Sequence, residues 1–200
     1  MNKMMEELAV RKEQAKKEVM LQCVLAEDDA YPSKEAMTTY LKYLGYEKDA
    51  IEHAVKTLDD KPEDNPGKDI WIKTQRLRLI NNQIDDPKIS ERIDALFKIG
   101  MNLSERLAYH PEKKDKVRRL RNYYLPTLVT NLKRYEEVEE YNSDSKNHLE
   151  IRLSVLEMLD TCKNAFQTIY DSLYEDDIIE ADVDKEVMKK LLVMDGLLKE

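Results

Sequence analysis

Residues 149–173 read LEIRLSVLEMLDTCKNAFQTIYDSL, and they decide the fold class. Leu149, Leu153, Leu156, Leu159, Cys162, Phe166, Ile169 and Leu173 recur in steps of three and four, the spacing that places side chains on one stripe of an α-helix. A stripe sustained over that length, with charged residues between, is the seam of an extended antiparallel helical bundle. No strand pattern competes with it.

Working outward, the same spacing recurs on both sides. An acidic stretch over 174–184 leads into a last helix carrying Val183, Val187, Leu191, Met194 and Leu198, with Asp182 or Asp184 as the expected cap. Upstream, Asn142-Ser143-Asp144 marks a turn. Before it, Val117, Leu120, Tyr124, Leu128, Leu132 and Tyr135 form another stripe, and Pro126 inside it predicts a kink about one turn earlier. Ile89, Ile93, Leu96, Gly100, Leu103 and Leu107 make a further stripe. Asp86-Pro87 opens it, the carboxylate capping orphan amides where proline has none to waste, and His110-Pro111 closes it. A shorter helix from Asp69 carries Ile72, Leu77, Leu79 and Ile80.

The stretch 59–67, DDKPEDNPG, is the best linker in the chain and sets the expected boundary: a small helical N-terminal domain over 1–66 and a long-helix bundle over 67–200. In the first part, Leu8, Ala15, Val19, Cys23 and Ala26 form a thin apolar stripe. Met37, Tyr40, Leu41 and Leu44 make a second helix capped by Gly45. Ala50, Ile51, Ala54, Val55 and Leu58 make a third, expected to pair with the second as a hairpin. The first helix could fold back on this domain or pair with another copy, so a homo-oligomer is an open expectation.

Composition agrees. The chain has 200 residues, 37% charged and 42% hydrophobic, with 4 Gly and 6 Pro, too few turn-formers for a β-sandwich or a glycine-rich nucleotide fold. A net charge of −8 makes nucleic acid an unexpected partner. No run approaches the roughly 20 apolar residues of a membrane span. The charged start lacks the apolar core of a secretory signal, and Cys23 and Cys162 fit reduced thiols, so the expected compartment is cytoplasmic.

Chemistry is sparse. His53, His110 and His148 fall on three segments without metal-ligand spacing, and the acids over 175–186 lack the glycine and spacing of a calcium loop. No phosphate loop, GxSxG elbow or catalytic triad is present. Cys162 lies within an apolar helix pattern rather than in an arginine-closed loop. Asp182-Val183-Asp184 opens a helix where an aspartyl nucleophile would need a preceding strand. Neither a metal nor a cofactor is therefore expected.

One unusual feature remains. Lys113, Lys114, Lys116, Arg118, Arg119 and Arg121 form a basic run that ends in Tyr123-Tyr124. On an α-helix Lys114, Arg118 and Arg121 share a face, as do Arg119 and Tyr123. Such a face either pairs with the acids of neighbouring helices or grips an anionic partner. Lys114, Arg118, Arg119, Arg121, Tyr123 and Tyr124 are the candidate binding residues.

Three stretches carry a family resemblance over 69–198. They are Ile84-Asp85-Asp86-Pro87-Lys88-Ile89, then Tyr123-Tyr124-Leu125-Pro126-Thr127 with Leu132 and Tyr135, and the ending from Asp182-Val183-Asp184-Lys185-Glu186-Val187-Met188 to Met194-Asp195-Gly196-Leu197. Together they resemble the XpaC-like family, labelled "5-bromo-4-chloroindolyl phosphate hydrolysis protein" and associated with TelA-type toxic-anion (tellurite) resistance proteins. Many members carry hydrophobic N-terminal membrane segments, and this chain has none. The resemblance implies a TelA-like helical protein as partner, and its label implies phosphate-ester hydrolysis, but it supplies no catalytic residues. The expected function is a non-enzymatic cytoplasmic adaptor. The alternative is a metal-assisted phosphoesterase for small aryl phosphates, which needs the acidic stretch and the basic run to converge.

Overall fold

A computed structural model describes residues 2–26, 31–59, 65–142, 146–195 and 197–198. Among them every regular element is helical: α1 (Asn2–Leu25), α2 (Lys34–Tyr43), α3 (Lys48–Val55), α4 (Pro66–Asn81), α5 (Pro87–Tyr109), α6 (Leu125–Asn142), α7 (Lys146–Ser172) and α8 (Glu175–Met194). The fold is all-α. The centre of the expected linker (60–64), the turn at 143–145 and Gly196 of the C-terminal motif lie outside the described residues.

Helices α4–α7 form the elongated bundle. Two antiparallel hairpins, α4–α5 and α6–α7, lie side by side with α5 against α7 and α4 against α6. Ion pairs set the register of α5 on α7: Asp86 meets Arg152, and Arg92 meets Asp160 at 2.8 Å. Both pairs ascend together along the chain, so α5 and α7 run in the same direction. The core is built from Ile70, Leu77, Ile93, Leu96, Leu103, Leu128, Leu132, Leu159 and Phe166, all essentially inaccessible to water. Burial of this kind is the main favourable term in folding.

Local chemistry sets the helix ends as the residue types require. Asp86 accepts from the backbone N–H of Lys88 at 2.9 Å and of Ile89 at 3.4 Å, with Pro87 in the first turn. Asn65 caps α4 in the same way, accepting from Lys68 N–H at 3.0 Å, so this helix begins at Pro66 rather than at Asp69. Two glycines let α4 and α5 approach closely. A Cβ on Gly67 would lie 2.9 Å from the Ser104 carbonyl oxygen, and one on Gly100 would collide with the Thr74 side chain.

Helices α1–α3 bury a second core of Ala15, Val19, Met37, Leu41, Ala50, Ile51 and Ala54. Gly45 ends the α2 region at φ 81°, and the Tyr46 N–H returns to the Leu41 carbonyl at 3.1 Å. Helix α1 folds back along α3 and also reaches α4, where Cys23, Val24 and Ile72 pack together beside Trp71. Arg76 of α4 donates to the carbonyls of Val24 and Cys23 near the end of α1.

Several stripe positions differ from expectation: Leu44, Leu79 and Tyr124, each read as part of an apolar stripe, are exposed. In α7, Val155, Leu159 and Phe166 are buried, as is Leu173 just beyond its end, but Leu149 and Leu153 are more than half exposed. At about 100° per residue, Leu153 stands about 120° around the helix from Leu159, so it falls off the buried face. Leu149 precedes Arg152, which already meets the first cap of α5, and so lies beyond the start of that helix. In α8 the expected cap is wrong as well. Nothing breaks the helix between 175 and 184, so it starts at Glu175, and Asp182 and Asp184 lie within it.

Candidate functional site

The basic run lies where α5 ends and α6 has yet to begin, and its backbone is not α-helical throughout. Pro111–Val117 is a 3-10 segment and Leu120–Tyr124 a π-turn, closed by the Leu125 N–H on the Leu120 carbonyl. The π-turn occupies the place of the expected kink. Pro126 has no N–H for the Asn122 carbonyl, and a widened turn is a common way to relieve that. This backbone re-phases the side chains, so the α-helical grouping of Lys114 with Arg118 and Arg121 does not apply.

Half of the run is committed to the protein itself. In a 3-10 segment residues three apart eclipse, and Lys113 and Lys116 both face the α7–α8 junction. Lys113 is buried; its ammonium donates to the Leu173 carbonyl and, at 2.8 Å, to Asp177 Oδ1. Lys116 donates to the Ser172 carbonyl at 2.7 Å and lies 3.4 Å from the carboxylates of Glu175 and Asp176. The two lysines therefore satisfy carbonyls at the negative end of α7 and acids at the positive end of α8. Arg106 of α5 completes the clasp, pairing with Asp177 while its guanidinium sits 4.3 Å from the Tyr174 ring centroid. The Lys113 hydrogen bond, with the Arg106 charge behind it, holds the Asp177 carboxyl below its ordinary range.

Arg121 is committed as well, on the other side. Its carbonyl accepts from Lys73 Nζ at 3.1 Å, and its Nε lies 3.4 Å from Asp69 Oδ2. Asp69 and Lys73 are both buried in α4 and pair at 3.0 Å, with the Tyr31 hydroxyl on the second carboxylate oxygen at 3.1 Å. Burial pushes the Asp69 carboxyl up, against the pull of Lys73, Tyr31 and Arg121. This cluster ties the segment before α2 and the π-turn to α4. Sequence reasoning missed it, although Asp69 and Lys73 are spaced as an i,i+4 pair in a helix otherwise buried on both faces.

What remains faces solvent. Lys114, Arg118 and Arg119 are exposed and, among the described residues, have no hydrogen-bond or ion-pair partner for their side chains. Tyr123 and Tyr124 are exposed beside them. A shallow concavity of about 440 Å³ is lined by Asp115, Lys116, Arg118, Arg119, Tyr124 and Ile169. Arg119 shares it with Tyr124, five residues on, and not with Tyr123, because the π-turn adds a residue to the repeat. Of the six candidate residues, Arg118, Arg119 and Tyr124 line this concavity, Lys114 and Tyr123 are exposed outside its lining, and Arg121 turns inward.

Asp182 and Asp184 are not part of this lining. Among the described residues, no three His, Cys, Asp or Glu side chains converge as metal ligands. His110 meets Glu112 at 3.1 Å, and His148 stacks on Tyr135. Cys23 and Cys162 are unpaired, and burial pushes both thiols up. No helix among the described residues is long and apolar enough to cross a membrane.

Fold and site together define an all-α bundle protein with a cationic, tyrosine-flanked edge at the α5–α6 junction. No family model, curated protein or solved structure matches the chain.

Proposed function

We propose that the protein is a non-enzymatic helical adaptor of the cytoplasm, which docks an acidic helix of a partner protein along the edge formed by Lys114, Arg118, Arg119, Tyr123 and Tyr124. The observation that carries this reading is the division within one basic run. Lys113, Lys116 and Arg121 are consumed internally, whereas Lys114, Arg118 and Arg119 stay unpaired among the described residues in a chain of net charge −8. Cations beside exposed tyrosines suit a partner that brings carboxylates along an amphipathic helix. The resemblance to the XpaC-like family makes a TelA-type helical protein the first partner to test, and with it a link to toxic-anion resistance.

The groove offers a single carboxylate, Asp115, and neither thiol nor imidazole, which favours docking over chemistry. The phosphoesterase alternative needs free carboxylates from the acidic stretch. Glu175, Asp176 and Asp177 are instead held by Lys116, Lys113 and Arg106, and Glu180, Asp182 and Asp184 do not line the groove. The test is affinity purification of the tagged chain and of a Lys114→Glu/Arg118→Glu/Arg119→Glu variant from native extract, at low and high salt. The native chain should retain an acidic helical protein that the variant and high salt both release. Equal recovery by both chains would end the proposal.

A further inference from the structure

Helix α8 is 20 residues long and buries none of its side chains. Ile179, Val183, Val187, Leu191 and Met194 recur at helical spacing along it, each at least half exposed. Among the described residues its ion pairs to the bundle lie in the first turn, through Asp177, Glu175 and Asp176. A helix of this length gains little from backbone hydrogen bonds alone, and in proteins its stability comes from packing an apolar face. A solvent-facing apolar stripe of this extent marks an interaction surface.

The charges name the occupant. Residues 175–184 contain six acids and no lysine or arginine, whereas 185–194 contain Lys185, Lys189 and Lys190 against the single acid Glu186. Lys185 and Lys190 have no partner among the described residues. A second copy of α8 laid antiparallel brings each acidic half against a basic half, while a parallel copy sets like against like. Antiparallel packing also opposes the two helix dipoles, and a two-fold axis across α8 makes the contact self-complementary and closed. We propose that α8 is the dimerisation helix of this protein, pairing antiparallel with α8 of a second copy through the Ile179–Val183–Val187–Leu191–Met194 stripe. This surface is separate from the docking edge, so the two proposals fail independently.

Sedimentation equilibrium of the full chain tests it. The native chain should weigh two copies, and Val187→Asp, at an exposed position, should weigh one while keeping the bundle's cooperative melt. Two charge variants then test the orientation: Glu180→Lys/Asp182→Lys/Asp184→Lys and Lys185→Glu/Lys189→Glu/Lys190→Glu. Each alone should be monomeric, and an equimolar mixture should form heterodimers. A monomeric native chain overturns the proposal, as does a dimer indifferent to Val187→Asp. Charge variants that still self-associate, or that fail to combine, overturn it too.

Discussion

Helices α4–α7 and helix α8 are written in the same three-and-four apolar spacing, yet the first four bury most of their stripes and α8 displays its own. Leu103 in α5 is inaccessible, whereas Leu191 in α8 is half exposed. The difference lies in what stands opposite. Each bundle helix faces two others across a shared apolar core, while α8 meets its own chain through lysines, an arginine and carboxylates at one end. Spacing writes a stripe, and only an opposing surface turns it into a core. The same truncation in the two places should therefore have unlike consequences. Leu103→Ala should destabilise the bundle by about 2–5 kcal/mol, the range for large-to-small changes at sites that collapse incompletely. Leu191→Ala, measured where the chain is monomeric, should move it by less than about 0.5 kcal/mol. Urea denaturation of both variants decides this, and comparable losses would mean that α8 packs on the bundle.

Much of the bundle was legible in the sequence because its determinants are local. Asp86-Pro87 caps α5, Gly45 ends the α2 region with a positive φ, and Pro126 disturbs the backbone one turn upstream, as residue chemistry demands. Leu149 and Leu153 misled because leucine spacing alone does not fix the phase of a stripe over several turns. The phase in α7 is carried by Val155, Leu159 and Phe166. Nor does α8 differ from a core helix by any residue in its own stripe. Its exposure follows from the tertiary arrangement, which no local pattern records.

The site was legible in part for a related reason. The basic run stands out by composition, but the division of its cations depends on backbone that switches from 3-10 to π geometry within a few residues. Even Lys113 and Lys116, which face the same junction, differ in burial. The Lys113 side chain is 8% exposed and that of Lys116 31%. Lys113→Ala strands the Leu173 carbonyl and should cost about 1–2 kcal/mol, at the lower end for charged hydrogen bonds because Asp177 keeps contact with water. Lys116→Ala should cost less than about 1 kcal/mol. Hydrogen exchange gives the sharper readout. In Lys113→Ala the last turn of α7 and the first of α8 should lose protection while Leu103 and Leu132 amides keep theirs. Loss spread evenly over the bundle would contradict the view that α8 is held by this clasp alone.

The smallest effect separates the two regions by pH. Burial pushes the Asp86 carboxyl up, but the Arg152 hydrogen bond and the amides of Lys88 and Ile89 outweigh it and leave it below its ordinary value. Asp177 is lowered by Lys113 and Arg106. A carboxylate whose folded pKa is depressed binds protons less readily than in the unfolded chain. Its contribution is therefore complete above the unfolded value, about 3.9, and is lost as pH falls through the lower folded one. Asp69, raised by burial, has the opposite sign: its contribution is present at low pH and is lost as pH rises through its folded value. On acidification Asp86 should loosen the α5–α7 contact and so the bundle, whereas Asp177 should release only α8. Asp86→Asn should flatten the acid limb of the bundle's stability curve. Asp177→Asn should leave that limb in place and remove the acid dependence of α8 amide protection. If Asp177→Asn reshapes the bundle's acid limb as much as Asp86→Asn does, the clasp is part of the core and the two regions are energetically one.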